Sequence, residues 1–111
     1  RGSIFFTGAT ASVRGGSGFS AFSSAKFALR ALAQSMAREL GPQGIHVAHF
    51  IIDGAIDTAF IKENFPDTYA LKEKDGILQP EAIADAYWFV HTQHRSAWTH
   101  ELDLRPYMEK F

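Results

Sequence analysis

One charged side chain stands inside an otherwise apolar, small-residue run: Lys26, in FSAFSSAKFAL from Phe19 to Leu29. A lysine is almost never fully buried unless something pairs with it or uses it, so it either snorkels to solvent or grips a ligand. At helical spacing Phe22 lies one turn earlier on the same face, which continues through Leu29, Leu32 and Ala33. The twelve residues GATASVRGGSGF, 8–19, hold four of the nine glycines and read as a long loop feeding that helix. Long glycine-rich loops often carry function. Loop, Phe22 and Lys26 are expected to converge at the carboxyl edge of a sheet, where open α/β sheets bind ligands.

Other candidate motifs are weaker. TGATASVRGG approximates a dinucleotide fingerprint, but Ser12 and Arg14 occupy the later glycine positions. GGSGF approaches a nucleophile elbow, but Phe19 stands where its last glycine belongs. His91, His94 and His100 lack cysteines or an ordered carboxylate beside them, so surface roles are expected and no metal. His46 and His49, three apart in a presumed strand, should face opposite sides. Asp53 and Asp57 read as turn and cap residues rather than an acid/base pair.

These residues need elements to position them. Ser3 to Thr7 reads as a central strand. From Ser20 to Leu40 apolar residues recur at 22, 25, 29, 32, 36 and 40, an amphipathic helix stopped by Gly41-Pro42. GIHVAHFII, 44–52, reads as a strand covered on both faces. Residues 57–75 predict one or two short helices. Gln79-Pro80-Glu81 opens a helix to about Gln93, with proline and an acid suited to its first turn. WTHELDLRP supplies a last strand. Strands alternating with helices predict the α/β class: about three parallel strands with crossover helices. Two long helices hardly cover both faces of such a sheet, which implies partners or a missing N-terminal half.

The chain has 111 residues, 46% hydrophobic and 21% charged, with a formal net charge of -1. That balance fits one ordinary soluble domain and offers no basic footprint for nucleic acid. Its apolar runs are too short to span a bilayer. Absent cysteine is compatible with a reducing compartment, and a cytoplasmic location is expected.

FSSAKFALRALAQSMARELGPQGIHVAHFIIDGAIDT resembles the catalytic helix, Gly-Ile-x-Val strand and Pro-Gly-x-Ile-x-Thr segment of the short-chain dehydrogenase/reductases. The resemblance implies a Rossmann-type parallel sheet, of which residues 1–111 would be the C-terminal portion of one domain without the N-terminal dinucleotide-binding half. It implies NAD or NADP as cofactor and a small-molecule substrate. It also implies a homo-oligomer, because the helix over Ser20 to Leu40 packs across a subunit interface in that family. Lys26 falls on the family lysine that holds the nicotinamide ribose. Phe22 falls on the catalytic tyrosine, and Ala9, thirteen residues earlier, on the serine. Thr10 or Ser12 is left to substitute for that hydroxyl. Thr7 and Gly8 at the strand end, with Gly54, Ile56 and Thr58, fall on cofactor-binding positions, while Asp53 replaces the family proline. Phenylalanine has no O–H to give a carbonyl oxygen, a donation usually worth about 10²- to 10⁴-fold. The resemblance therefore implies an oxidoreductase with atypical or reduced hydride transfer to a carbonyl or conjugated enone. The alternative is an inactive pseudoenzyme or structural oligomer subunit.

Overall fold

The computed structural model describes residues 2–111. Three strands form one parallel sheet in the order β1-β2-β3: β1 is Gly2–Ala9, β2 Ile45–Ile52 and β3 Glu101–Leu104. In register, Gly2 pairs with Ile45 and Ala9 with Ile52, and on the other side His49 pairs with Glu101 and Ile52 with Leu104. Helix α1, Ser20–Leu40, connects β1 to β2. Between β2 and β3 run α2 (Ala59–Asn64), α3 (Pro66–Tyr69), a 3-10 turn and α4 (Pro80–His91). The expected α/β class and all three strands are present. Pro80 opens α4 with Glu81 in its first turn, where a fixed φ and a negative charge both suit a helix N-terminus.

Side chains alternate across the sheet. Phe5 and Phe50 meet Tyr87 of α4 on one face, with ring centroids 5.9 and 3.7 Å away. On the opposite face His49 and Glu101 bond to each other, and Glu101 bonds Arg30 of α1. His46 stacks on Trp98 at 4.5 Å while His49 points the other way, so the two histidines take opposite faces as expected. The crossovers β1 to β2 and β2 to β3 step in the same direction, yet their helices cover opposite faces. The two connections therefore have opposite hands, and one departs from the right-handed rule for parallel crossovers.

The apolar core lies on the α4 face: Ala48, Phe50, Ile52, Leu78 and Val90 are buried there, with Phe5, Ile83, Tyr87 and Leu102 packed against them. The α1 face departs from expectation. Of the expected stripe at 22, 25, 29, 32, 36 and 40, Leu29, Met36 and Leu40 are half-buried and Ala33 beside them is fully buried, but Phe22 and Leu32 are each 49% exposed. The helix also turns Ser23 (5% exposed) and Arg30 inward, the first bonding the Arg14 carbonyl and the second reaching Glu101. The reason for Arg30 lies below the helix, where Glu101 projects from β3 and needs a partner. The loop expected over residues 8–19 is also shorter. Gly8 and Ala9 continue the β1 ladder, and Thr10–Ser12 form a 3-10 turn in which the Ser12 hydroxyl accepts the Ala9 N–H at 3.0 Å.

Candidate functional site

Where β1 and β2 end and α1 begins, a cleft of about 630 Å³ opens at the carboxyl edge of the sheet. Its walls include Ala9, Thr10, Arg14, Phe19, Phe22 and Gly54, a mostly apolar lining with one guanidinium. One helical turn inside Phe22, the Lys26 ammonium donates to the Thr7 carbonyl at 3.2 Å and lies 5.7 Å from the centre of the Phe22 ring. An ammonium carries three donors. One is used on Thr7, which leaves two for a ligand. The Thr7 hydroxyl itself turns to the other face and bonds the Tyr87 hydroxyl at 2.6 Å. Burial raises the Tyr87 pKa, and the Thr7 hydrogen bond partly offsets that shift.

Asp53, 3% exposed, closes the end of β2. The Thr10 hydroxyl donates to its Oδ1 at 2.5 Å, and the Arg105 guanidinium, hydrogen-bonded to Asp103, forms an ion pair with its Oδ2 at 2.9 Å. A threonine has a single O–H, and Thr10 directs it to Asp53 rather than to a substrate oxygen. Ser12 is fully buried and holds the Ala9 N–H. Arg14 approaches Asp53 Oδ1 only to 3.7 Å, and its side chain is half exposed beside the cleft.

Gly54 has φ +151, and a Cβ there would stand 2.9 Å from Pro106 Cδ, so both backbone and space require glycine. Gly8 is needed for packing: a Cβ would collide with His49 Nε2 and Ser12 Oγ. Ile56 forms an isolated parallel bridge with Leu78 and packs on the apolar core. Thr58 caps α2, its hydroxyl accepting the Ile61 N–H at 3.3 Å. Of the expected site residues Thr10, Phe22 and Gly54 line the cleft, and Lys26, Thr7, Gly8, Ile56 and Thr58 do not.

Sequence reasoning missed the polar network beneath α1. Arg30 makes two 2.8 Å bonds to the Glu101 carboxylate, and the His49 Nδ1 donates to the same group at 3.0 Å. The Arg30 bonds, against the opposing effect of burial and with help from His49, hold the Glu101 carboxyl below its ordinary range, and the same pairing raises the Arg30 pKa. The available signal was a charge at Arg30, one turn after Lys26, on a face that the apolar spacing alone left unassigned.

The remaining histidines serve locally. His91 Nδ1 bonds the Ser3 hydroxyl at 2.8 Å, and His94 caps the 3-10 turn at Arg95–Ala97 by accepting the Ser96 N–H. Among the described residues no group of three or more histidines or carboxylates is arranged to hold a metal ion. No helix among them is long and apolar enough to cross a membrane.

Residues 1–68 match the family described as short chain dehydrogenase. Over 86 residues the chain is 34% identical to a 3-dehydrosphinganine reductase of Danio rerio and 31% identical to a 3-ketodihydrosphingosine reductase of Bos taurus. Each alignment covers 75% of this chain and 26% of the relative. A solved short-chain dehydrogenase from Rhodopseudomonas palustris is 53% identical with a TM-score of 0.70, over 96% of this chain and 39% of that one. An NADPH-bound short chain oxidoreductase from Pseudomonas aeruginosa PAO1 containing an atypical catalytic center shares the fold, with a TM-score of 0.77 at 18% identity over 98% of this chain and 46% of that one. The chain thus spans about a quarter of the curated relatives' length.

Proposed function

The chain belongs to the short-chain dehydrogenase family, and from that premise we propose that it is the C-terminal, substrate-edge portion of an NAD- or NADP-dependent oxidoreductase. The observation that carries this reading is Lys26. Its ammonium is anchored on the Thr7 carbonyl beside the cleft with two donors to spare, which suits the two hydroxyls of a nicotinamide ribose. The outer edge of β1 pairs with no strand among the described residues, which supports a larger sheet continuing on that side. Gly54 brings the backbone close to the cleft without a side chain, as a cofactor contact requires. Ile56 and Thr58 act here by fixing the segment that carries Gly54.

A bound nicotinamide supplies the hydride. The chain's own residues bind and orient it, and they exclude water with Phe19 and Phe22. What they lack is a free hydroxyl to serve as proton donor: Phe22 has none and the Thr10 O–H is committed to Asp53. Ordinary carbonyl reduction is therefore expected to be slow. The curated relatives' names, with their 3-keto substrate, favour a ketone over an alcohol as the class to try first. A second reading follows from the same vacant proton-donor role, namely a pseudoenzyme that binds cofactor and does not turn over.

Fluorescence titration of the full-length protein with NADPH and NADH tests the proposal. Binding of at least one is expected, weakened about tenfold or more by Lys26→Ala, a loss equivalent to about 1.4 kcal/mol. Binding of neither overturns it. Phe22→Tyr is expected to raise ketone reduction by about 10²-fold or more if a missing general acid limits the reaction. No gain in that variant, with cofactor binding intact, favours the pseudoenzyme.

A further inference from the structure

We propose that Arg14 is the recognition residue for a carboxylate carried by an amphipathic ligand of the cleft, a step that rests on the functional reading above for the cleft's role but not for its binding chemistry. Four observations converge on Arg14. It lines a cavity of about 630 Å³ whose other walls are mostly apolar, including Phe19 (59% exposed) and Phe22. Its guanidinium donates no hydrogen bond within range among the described residues, and its one charged neighbour, Asp53, stands at 3.7 Å. That neighbour has other partners: Thr10 donates to one oxygen at 2.5 Å, and Arg105, which also bonds Asp103, pairs with the other at 2.9 Å. The backbone under Arg14 is nevertheless fixed, since its N–H donates to the Thr10 carbonyl at 3.1 Å and its carbonyl accepts the Ser23 hydroxyl at 3.4 Å.

A pinned backbone presenting an uncommitted guanidinium into an apolar cavity is a recognition arrangement. Pockets of this size use a few placed polar groups to orient a largely apolar ligand. A planar guanidinium offers two parallel N–H donors that match one carboxylate. Asp53 stands beyond hydrogen-bond reach of Arg14, so the donors that face the cleft stay open to a ligand carboxylate. The apolar body of the ligand then lies on Phe19 and Phe22, which explains why two large aromatic side chains are left open at this edge.

The test compares a medium-chain 4-oxo carboxylate with its methyl ester, binding each to the full-length protein by calorimetry with and without NADPH. The acid is expected to bind about 10- to 100-fold more tightly than the ester, the range expected for a charge-assisted pair. Arg14→Gln should erase that preference by weakening the acid alone, and Arg14→Lys should restore part of it. Far-UV circular dichroism checks that both variants fold. Equal binding of acid and ester, binding of neither, or a preference that survives Arg14→Gln overturns the inference. The cofactor titration on the same samples reports separately on the oxidoreductase reading: acid preference without NADPH or NADH binding would sink that reading and leave Arg14 standing.

Discussion

On the α4 face of the sheet, Phe5, Phe50 and Tyr87 pack with Val90 and Leu102 in an aromatic core, whereas on the α1 face Arg30, His49 and Glu101 meet as a hydrogen-bonded network. The same short strands serve both, because successive side chains of a strand point to opposite faces. The first face is held by burial, which is non-directional and scales with area. The second depends on partners, since each buried polar group left alone is costly. Most of its groups are answered within the network: Glu101 by Arg30 and His49, Asp53 by Thr10 and Arg105. His49 Nε2 and two Arg105 nitrogens stay buried without a partner among the described residues on that face, and Arg14 carries its donors to the cleft.

The largest effect that would sharpen this comparison is Phe50→Ala. Phe50 is fully buried, and its truncation is expected to cost about 3–5 kcal/mol by urea unfolding of the full-length protein. A loss below 1 kcal/mol would mean that the aromatic face is not the main source of stability. On the other face, Glu101→Leu strands Arg30 and His49 and is expected to cost about 2 kcal/mol. The double replacement Arg30→Met with Glu101→Leu should recover most of that loss, because replacing a buried pair by apolar groups is often neutral. If the double variant is as unstable as the single, the network contributes more than pairing.

The smallest effect concerns pH. The Arg30 bonds depress the Glu101 carboxyl in the folded state, so its stabilising contribution is complete above the ordinary glutamate value near 4.5 and is lost as pH falls through the depressed one. Melting temperatures of the parent should fall in that acid window, and Glu101→Gln should flatten the dependence. An unchanged acid limb in Glu101→Gln would assign the sensitivity to another carboxylate.

Much of the fold was legible in the residues. Gly41-Pro42 marked the end of α1, the continuous run Ile45 to Ile52 marked a strand buried on both faces, and Pro80-Glu81 marked the start of α4. Local signals of this kind are read by the backbone itself through φ restriction, missing N–H groups and β-branching. The face of α1 that meets the sheet was not legible from its own sequence. Apolar spacing pointed to Phe22 and Leu32 as well as Ala33, and only Glu101 of β3 and the Arg14 carbonyl explain why Arg30 and Ser23 face inward. Thr10 illustrates the same limit at the site. Its hydroxyl was a candidate donor to substrate, but it donates to Asp53, 43 residues later in the chain.

By itself the sequence determined the order of strands and helices, the parallel α/β class, the placement of Lys26 one turn after Phe22, and the family to which these belong. Those properties rest on local conformational preference and on spacing along one element. The tertiary structure decided which face of α1 is inside, which group the Thr10 hydroxyl bonds, and that Arg14 lines an apolar cleft with no side-chain hydrogen bond among the described residues. Each of these depends on charges brought together from distant parts of the chain, whose interactions are set by distance in space and not by separation in sequence.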